Sequence, residues 1–305
     1  MKILITGGSG FIGQSLIPAL QEQGNEIIAV TRNTDGVRKI LPAAVRLVGW
    51  ENAEIRDALG ETDVVINLAG ETIASPPWSN KKKTAILNSR LLAAQRLEQA
   101  LAAIDNKPRV FMQASAIGYY GHQPEIDCSE ITPAGDGFLA DVCKKWESLV
   151  PDLEKLCERT ITLRIGVVLG KYGGAFPELL KQSKRHLAGK LGSGEQWMSW
   201  IHIYDLVYAI LFLMNDAEAR GVFNMVAPEP VKQGEFAKVM KRLTGNGIQL
   251  PAPAFMLRLL LGEFGREVLL SGQKVSASKL TRQGFLFRYS ELGSAMEDLL
   301  DPYSH

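Results

Sequence analysis

What the 305-residue chain has little of narrows its possibilities first. It carries three cysteines, Cys128, Cys143 and Cys157. No two form a CxxC pair and an odd number cannot all be bridged, which excludes a disulfide scaffold or a zinc ribbon and suits a reducing compartment. No apolar run approaches the roughly 18 residues of a membrane-spanning helix, and Met1-Lys2-Ile3-Leu4-Ile5-Thr6 reaches glycines too soon for a secretory leader. The expected location is cytoplasmic. Charge of one sign is lacking too: 34 Lys and Arg against 33 Asp and Glu leave no global field to draw the protein to nucleic acid or an anionic membrane. The four histidines, His122, His186, His202 and His305, show no metal-ligand spacing, so no metal is expected. Internal repeats and low-complexity segments are absent. Any ligand must be read from a local site.

What is present is a large apolar fraction, 46%, in an ordered pattern. From Lys2 to about Ile165, short apolar runs alternate with longer segments of helical period. The runs are Ile3–Ile5, Ile27–Val30, Val45–Val48, Val64–Leu68, Val110–Met112 and Ile161–Ile165. This is the pattern of βαβ units and a parallel sheet. Between the fourth and fifth runs, Ile86, Leu87, Leu91, Leu92, Leu97 and Leu101 mark a long helix within 78–104. Beyond Arg164 the alternation loosens into helix-like stretches, 176–187, 204–214, 236–243, 256–261 and 292–300, parted by Gly/Pro-rich joints. The expected architecture is α/β: a Rossmann-type doubly wound parallel sheet with a smaller, mostly helical C-terminal region. The expected division is 1–165 for nucleotide binding and 166–305 for a substrate cap, with no strict single boundary between them.

Gly7-Gly8-Ser9-Gly10-Phe11-Ile12-Gly13 follows the first apolar run and opens a helix reaching about Gln23. Gly7 suits the tight turn, Gly10 lets backbone approach a pyrophosphate, Gly13 allows close helix–strand packing, and the helix N-terminus offers amides to an anion. The plainer alternative is a turn that merely needs glycines. In NAD-specific chains an acidic residue about twenty positions on takes the ribose 2′-hydroxyl. Here that place reads Val30-Thr31-Arg32-Asn33, and Arg32 suits a 2′-phosphate, so NADP(H) is the expected cofactor. Asp35 comes later and is expected to cap the next short helix.

Thr6 through Gly13, Asn67-Leu-Ala-Gly70, Ser115 through Gly121 and Trp200-Ile-His-Ile-Tyr-Asp205 together resemble the extended short-chain dehydrogenase/reductase superfamily, the sugar-nucleotide epimerase and dehydratase group. Leu68-Ala-Gly-Glu71, Asn88-Ser-Arg90, Trp146-Glu147, Leu163 through Gly170 and Gly284-Phe285 look like its atypical "epimerase family protein" branch, some members of which are labelled cell-division inhibitors. The resemblance spans nearly the whole chain. It implies that Leu68, Ala69 and Gly70 lie beside the cofactor, that Glu71 and Arg90 border its nicotinamide and phosphate side, and that Arg164 lines the same cleft. It also implies a small-molecule substrate, a sugar nucleotide by analogy of fold.

The hydride-transfer members of that superfamily use Tyr-x-x-x-Lys on a helix, the lysine one turn from the tyrosine to assist its proton transfer. Anchored on Trp146-Glu147, these positions are Leu139 and Cys143, and neither can do the work. Lys144 and Lys145 are adjacent but point elsewhere on a helix. Ser115 and Tyr119 remain as catalytic candidates, with Ala116 at the usual hydroxyl position. Cys143 and Cys157 are expected to pack on one apolar helix face, and Phe255 through Leu261 on a core, the alternative being a dimer or partner groove. Lys81-Lys82-Lys83 reads as a solvated face or an anion contact. Two functions therefore stand: an NADP(H)-dependent oxidoreductase or isomerase, and a catalytically silent NADP(H)-binding regulator or scaffold.

Overall fold

The computed structural model describes residues 1–186, 189–245 and 250–301; the ends of the expected 176–187 helix and of the chain, Leu187 and His305, lie outside them. The apolar runs become β1 (Lys2–Thr6), β2 (Glu26–Val30), β3 (Arg46–Val48), β4 (Val64–Asn67) and β5 (Val110–Ala116); the short β6 (Gln123–Cys128) precedes β7 (Arg159–Ile165). A further strand, Gly221–Met225, completes a seven-stranded sheet in the order Gly221–Met225, β7, β5, β4, β1, β2, β3. Every pairing in it is parallel. The chain winds outward from β1 through β2 to β3, then restarts at β4 on the other side of β1. That reversal opens a crevice at the carboxyl ends of β1 and β4.

Alternation along each strand sends neighbouring side chains to opposite faces. Ile3 and Ile5 pack on one face with Leu16, Ile17 and Leu20 of α1 (Phe11–Glu22) and with Leu206, Ile210 and Leu213 of the helix Ile203–Asn215. Leu4, Val65 and Phe111 pack on the other. Their partners there are Ile55 and Leu59 of α3 (Asn52–Gly60), which follows the short α2 (Thr34–Arg38), and Leu97 and Leu101 of α4 (Asn80–Ala102). Burying each such Leu or Ile is worth about 1.5–3 kcal/mol, so a sheet covered on both faces supplies a rigid floor for the crevice.

The helical C-terminal region has its own core around Phe176, Trp200, Phe236, Met240, Leu292 and Met296. It is tied back to the sheet domain beside α5 (Phe138–Glu147). The Glu267 carboxylate accepts the Phe138 and Leu139 amides at 2.8 and 2.9 Å, capping α5 from a distant segment. Glu263 pairs with Lys83 at 2.7 Å, and Phe264 meets the Trp78 ring edge-on at 5.5 Å. The loop from Gly189 to Gly194 is pinned as well, Gln196 donating to the carbonyls of Leu191 and Leu269.

Four expectations are corrected. Cys143 and Cys157 do not share a helix: α5 ends at Glu147, a separate turn of helix runs from Val150 to Glu154, and Cys157 follows it. The Asn33 side chain, accepting from the Gly36 amide at 2.9 Å, caps α2, and Asp35 lies inside the first turn. On the helix Ala254–Phe264, Phe255, Met256, Leu259 and Leu260 face solvent while Leu261 and Phe264 face inward. Lys82 and Lys83 are ion-paired rather than solvated, with Glu71 and Glu263. Among the described residues no helix is long and apolar enough to cross a membrane, and no cluster of His, Cys, Asp or Glu could hold a metal ion.

Candidate functional site

One wall of the crevice is the glycine loop between β1 and α1. Gly7 has φ of 70°, and a Cβ there would lie 2.7 Å from the Leu68 carbonyl carbon and oxygen. A Cβ on Gly13 would lie 2.5 Å from the Gly8 Cα. Glycine is thus required at both places, once to turn the loop against the chain leaving β4 and once to seat α1 on the loop. The Gly10 amide closes the turn on the Gly7 carbonyl at 2.9 Å. No side chain caps α1 and its first turn holds no acidic residue. The amides of Phe11, Ile12 and Gly13 carry no hydrogen bond among the described residues. The Phe11 ring is wedged against Gly170, Gly173 and Gly174, where any Cβ would collide with it.

The other wall is Leu68-Ala69-Gly70. It is fixed from below by a buried polar row across adjacent strands: Thr6 donates to Asn67, whose Nδ2 donates to Gln113 Oε1 at 2.9 Å, and the Ala69 amide donates to Thr6 Oγ1 at 3.2 Å. At the end of β2, Thr31 is half-buried and its Oγ1 accepts the Asn33 amide at 3.2 Å. Arg32 is exposed and carries no hydrogen bond among the described residues. Across from it the Glu71 carboxylate is held by Lys82 Nζ at 2.7 Å. That hydrogen bond, with smaller pulls from Arg32 and Arg90, keeps Glu71 below the usual carboxylate range despite partial burial. Arg90 reaches over from α4, but not to the Glu71 or Glu98 carboxylates; its Nη1 donates to the carbonyls of Glu71 at 3.0 Å and Ile86 at 2.9 Å.

Beyond β5 lies a second buried polar cluster. Ser115, Arg164 and Asn224 are in register on β5, β7 and Gly221–Met225. Arg164 Nε and Nη2 donate to the two Glu147 oxygens at 3.0 and 2.7 Å, its Nη1 to the Tyr120 hydroxyl at 3.0 Å and to the Glu130 carbonyl at 3.2 Å. Ser115 Oγ donates to Glu147 Oε1 at 2.5 Å, and the Tyr120 hydroxyl to Asn224 Oδ1 at 2.6 Å. Burial pushes the Tyr120 phenol up to about 12, so it stays a neutral donor. Glu147 raises the Arg164 pKa against the pull of burial. The Arg164 guanidinium lies over the Tyr119 ring, 3.5 Å from Cζ to the ring centroid, and the Tyr119 hydroxyl has no hydrogen bond among the described residues.

The structure therefore separates the candidates. Gly7 through Gly13, Leu68 to Gly70, Glu71 and Arg90 line or border one crevice, and Thr31 and Arg32 stand at its β2 edge. Ser115 is 3% exposed with its hydroxyl turned to Glu147, and Arg164, also 3% exposed, has its donors engaged internally. Tyr119 is half-buried. Leu139 packs with Trp78, Leu261 and Phe264, while the Cys143 thiol, 3.6 Å from the Ala116 carbonyl, is pushed up to about 11 by burial, which disfavours the thiolate. Sequence reasoning missed the roles of Glu147, Asn224 and Gln113. For Gln113 and Asn224 the available signal was a polar residue between apolar neighbours inside a strand; Glu147, the last residue of α5, carried no such signal.

Comparison with known proteins follows this geometry. Residues 3–225 match the NAD dependent epimerase/dehydratase family, and residues 252–299 match a domain of unknown function, DUF1731. An epimerase family protein of Staphylococcus aureus (strain N315) is 36% identical over 303 residues, 98% of this chain and 99% of that one. The crystal structure of human epimerase family protein SDR39U1 (isoform2) with NADPH superposes with a TM-score of 0.85 at 29% identity, covering 98% of this chain and 99% of that one. The likeness extends, as fold alone, to UDP-glucuronic acid 4-epimerase of Bacillus cereus in complex with UDP-glucuronic acid and NAD. That match has a TM-score of 0.78 at 18% identity, with 97% of each chain covered.

Proposed function

The chain belongs to the NAD dependent epimerase/dehydratase family, and from that premise we propose that it binds NADP(H) in the β1/β4 crevice and acts on a small molecule as an oxidoreductase or isomerase. The single observation that carries the reading is the preformed anion cradle: Gly7 and Gly13, where a Cβ has no room, beside three unpaired amides at the start of α1. These residues fit a pyrophosphate. Gly7, Gly10, Phe11, Ile12 and Gly13 would hold it, Thr31 and Arg32 the 2′-phosphate, and Leu68, Ala69, Gly70, Glu71 and Arg90 the side toward the nicotinamide. The human relative crystallised with NADPH supports the choice of NADP(H). When bound, the nicotinamide supplies hydride transfer.

The chain's own part is acid–base chemistry without the usual pair. Tyr119 is the better-placed donor, since its hydroxyl is uncommitted while that of Ser115 is bonded to Glu147. Arg164, fixed by Glu147, lies over the Tyr119 ring, and the two act as positioning residues. A sugar nucleotide is the first substrate class to test, on the analogy of fold. A second reading, an NADP(H)-binding regulator without turnover, is favoured by the resemblance, which sets Leu139 and Cys143 at the positions of the tyrosine and lysine, and by their surroundings: Leu139 packs with Trp78 and Phe264, and the Cys143 thiol meets the Ala116 carbonyl. Fluorescence titration of NADPH against NADH, followed by a panel of carbonyl compounds and sugar nucleotides, decides both points. Weak binding of both nucleotides would overturn the cofactor reading, and tight NADPH binding without oxidation by any member would favour the regulator.

A further inference from the structure

The guanidinium of Arg90 is held as a flat plate. It lies against the chain leaving β4, where a Cβ on Gly70 would sit 3.0 Å from Cζ, 3.1 Å from Nη2 and 3.3 Å from Nε. It also lies over the Trp146 ring, 5.1 Å from Cζ to its centroid. A side chain at position 70 would press this plate back by a few tenths of an ångström. Only Nη1 is engaged, at the carbonyls of Glu71 and Ile86. Nε and Nη2, whose N–H bonds form the parallel fork of an arginine, have no acceptor among the described residues. The Trp146 indole N–H, buried in the same contact, has none either.

The Trp146 donor, withdrawn from water, is costly unless an acceptor arrives, whereas the Arg90 side chain is half-buried and its free edge keeps contact with solvent, open to a ligand. Burial lowers the Arg90 pKa, while Cys143 and Glu71 oppose that shift. Cys143, within electrostatic reach of Arg90, stands where the resemblance sets the family's lysine, so Arg90 is near a place on α5 that lacks a cation.

We propose that the Nε/Nη2 edge of Arg90 binds the vicinal hydroxyls of the nicotinamide-side ribose, supplying from α4 the cation that position 143 does not provide. This rests on the NADP(H) reading above. The plate is preset by Gly70 and Trp146, so little side-chain freedom is lost when the diol docks.

The test compares NADPH with adenosine 2′,5′-bisphosphate, which carries the 2′-phosphate and adenine but no nicotinamide ribose. Both are titrated against wild-type protein, Arg90→Leu and Arg90→Lys, with thermal melts of each. In Arg90→Leu, NADPH affinity is expected to fall about tenfold or more, the loss of a charged two-point hydrogen bond, with adenosine 2′,5′-bisphosphate affinity unchanged. Arg90→Lys, which keeps the charge and not the fork, is expected to show a smaller loss for NADPH alone, and it serves as the test if Arg90→Leu does not fold. Unchanged NADPH affinity in the folded variant, or equal weakening of both probes, overturns the inference. Wild-type protein that binds neither probe overturns the cofactor reading and this inference with it; binding of both with an indifferent Arg90 variant overturns this inference alone.

Discussion

Arg164 and Glu147 meet in a two-point ion pair, Nη2 to Oε2 at 2.7 Å and Nε to Oε1 at 3.0 Å, with side chains only 4% and 13% exposed. The pair fastens α5 to β7, and through Ser115 to β5. Its location, under Tyr119 and against Tyr120, makes the shape of the loop after β5 depend on a buried charge pair. Little water reaches it to screen the attraction or to solvate a partner left alone.

Removing one member should therefore cost more than removing both. Glu147→Ala is expected to destabilise the protein by about 3–5 kcal/mol, because the Arg164 guanidinium remains buried without its carboxylate. Glu147→Leu with Arg164→Met should cost less than Glu147→Ala alone. Urea unfolding of the three proteins measures this, and a loss below about 1 kcal/mol in Glu147→Ala would mean that the pair is effectively solvated.

The glycine loop allows a paired comparison. Gly7 and Gly24 both have positive φ, 70° and 76°, but a Cβ on Gly24 meets nothing within 4 Å whereas one on Gly7 strikes the Leu68 carbonyl. Gly24→Ala should lose only the backbone strain of about 1–2 kcal/mol. Gly7→Ala should lose more and should also part the crevice walls, abolishing NADPH binding. Equal stability and equal NADPH affinity in the two variants would remove the case for close contact at Gly7.

Arg32 is exposed and without a hydrogen bond among the described residues, so replacing it should leave the fold intact. Arg32→Glu is expected to weaken NADPH about tenfold or more by replacing attraction to the 2′-phosphate with repulsion, while NADH binding holds or improves. Fluorescence titration with both nucleotides checks it; an unchanged preference would move the 2′-phosphate contact elsewhere.

Acid should loosen the C-terminal core through His202. Burial pushes its imidazole down to about 4, with Arg288 adding to the shift and Asp298, 3.4 Å from Nε2, opposing it. The neutral ring packs on Tyr289, and its Nδ1 accepts the Tyr204 amide at 3.1 Å. An unfolded chain takes up the proton near 6.5, the folded one only near 4. The stabilisation is thus complete above about pH 6.5 and is lost as pH falls toward 4, on the order of 3 kcal/mol in all. His202→Asn keeps an acceptor at the helix N-terminus and removes the titration. Its urea midpoint should fall less than that of wild type between about pH 7.5 and 5. Asp205, whose raised pKa acts in the opposite sense, is common to both proteins.

The strands of the nucleotide-binding half were legible because a sheet covered on both faces demands unbroken apolar runs, and Ile3 to Ile5 or Val64 to Ile66 cannot serve as solvent-facing chain. Gly221–Met225 was hidden: Gly221 and Asn224 interrupt its apolar run, and Asn224 is buried only because Tyr120 and Ser276 satisfy its amide. The exposed face of Ala254–Phe264 was equally unreadable, since an apolar stripe does not say whether a partner surface exists within the chain.

By itself the sequence determined the parallel sheet, the glycine loop with its place after β1, and the absence of a tyrosine–lysine pair, because each of these is set by residues close together in the chain. Only the tertiary structure decided which polar groups are already satisfied and which are not. Ser115 and Arg164 are committed to Glu147, whereas Arg90 and Tyr119 keep unused donors. That distinction depends on partners tens of residues apart brought into register by the sheet. A buried donor's chemistry is fixed by whichever acceptor the fold places within about 3 Å of it.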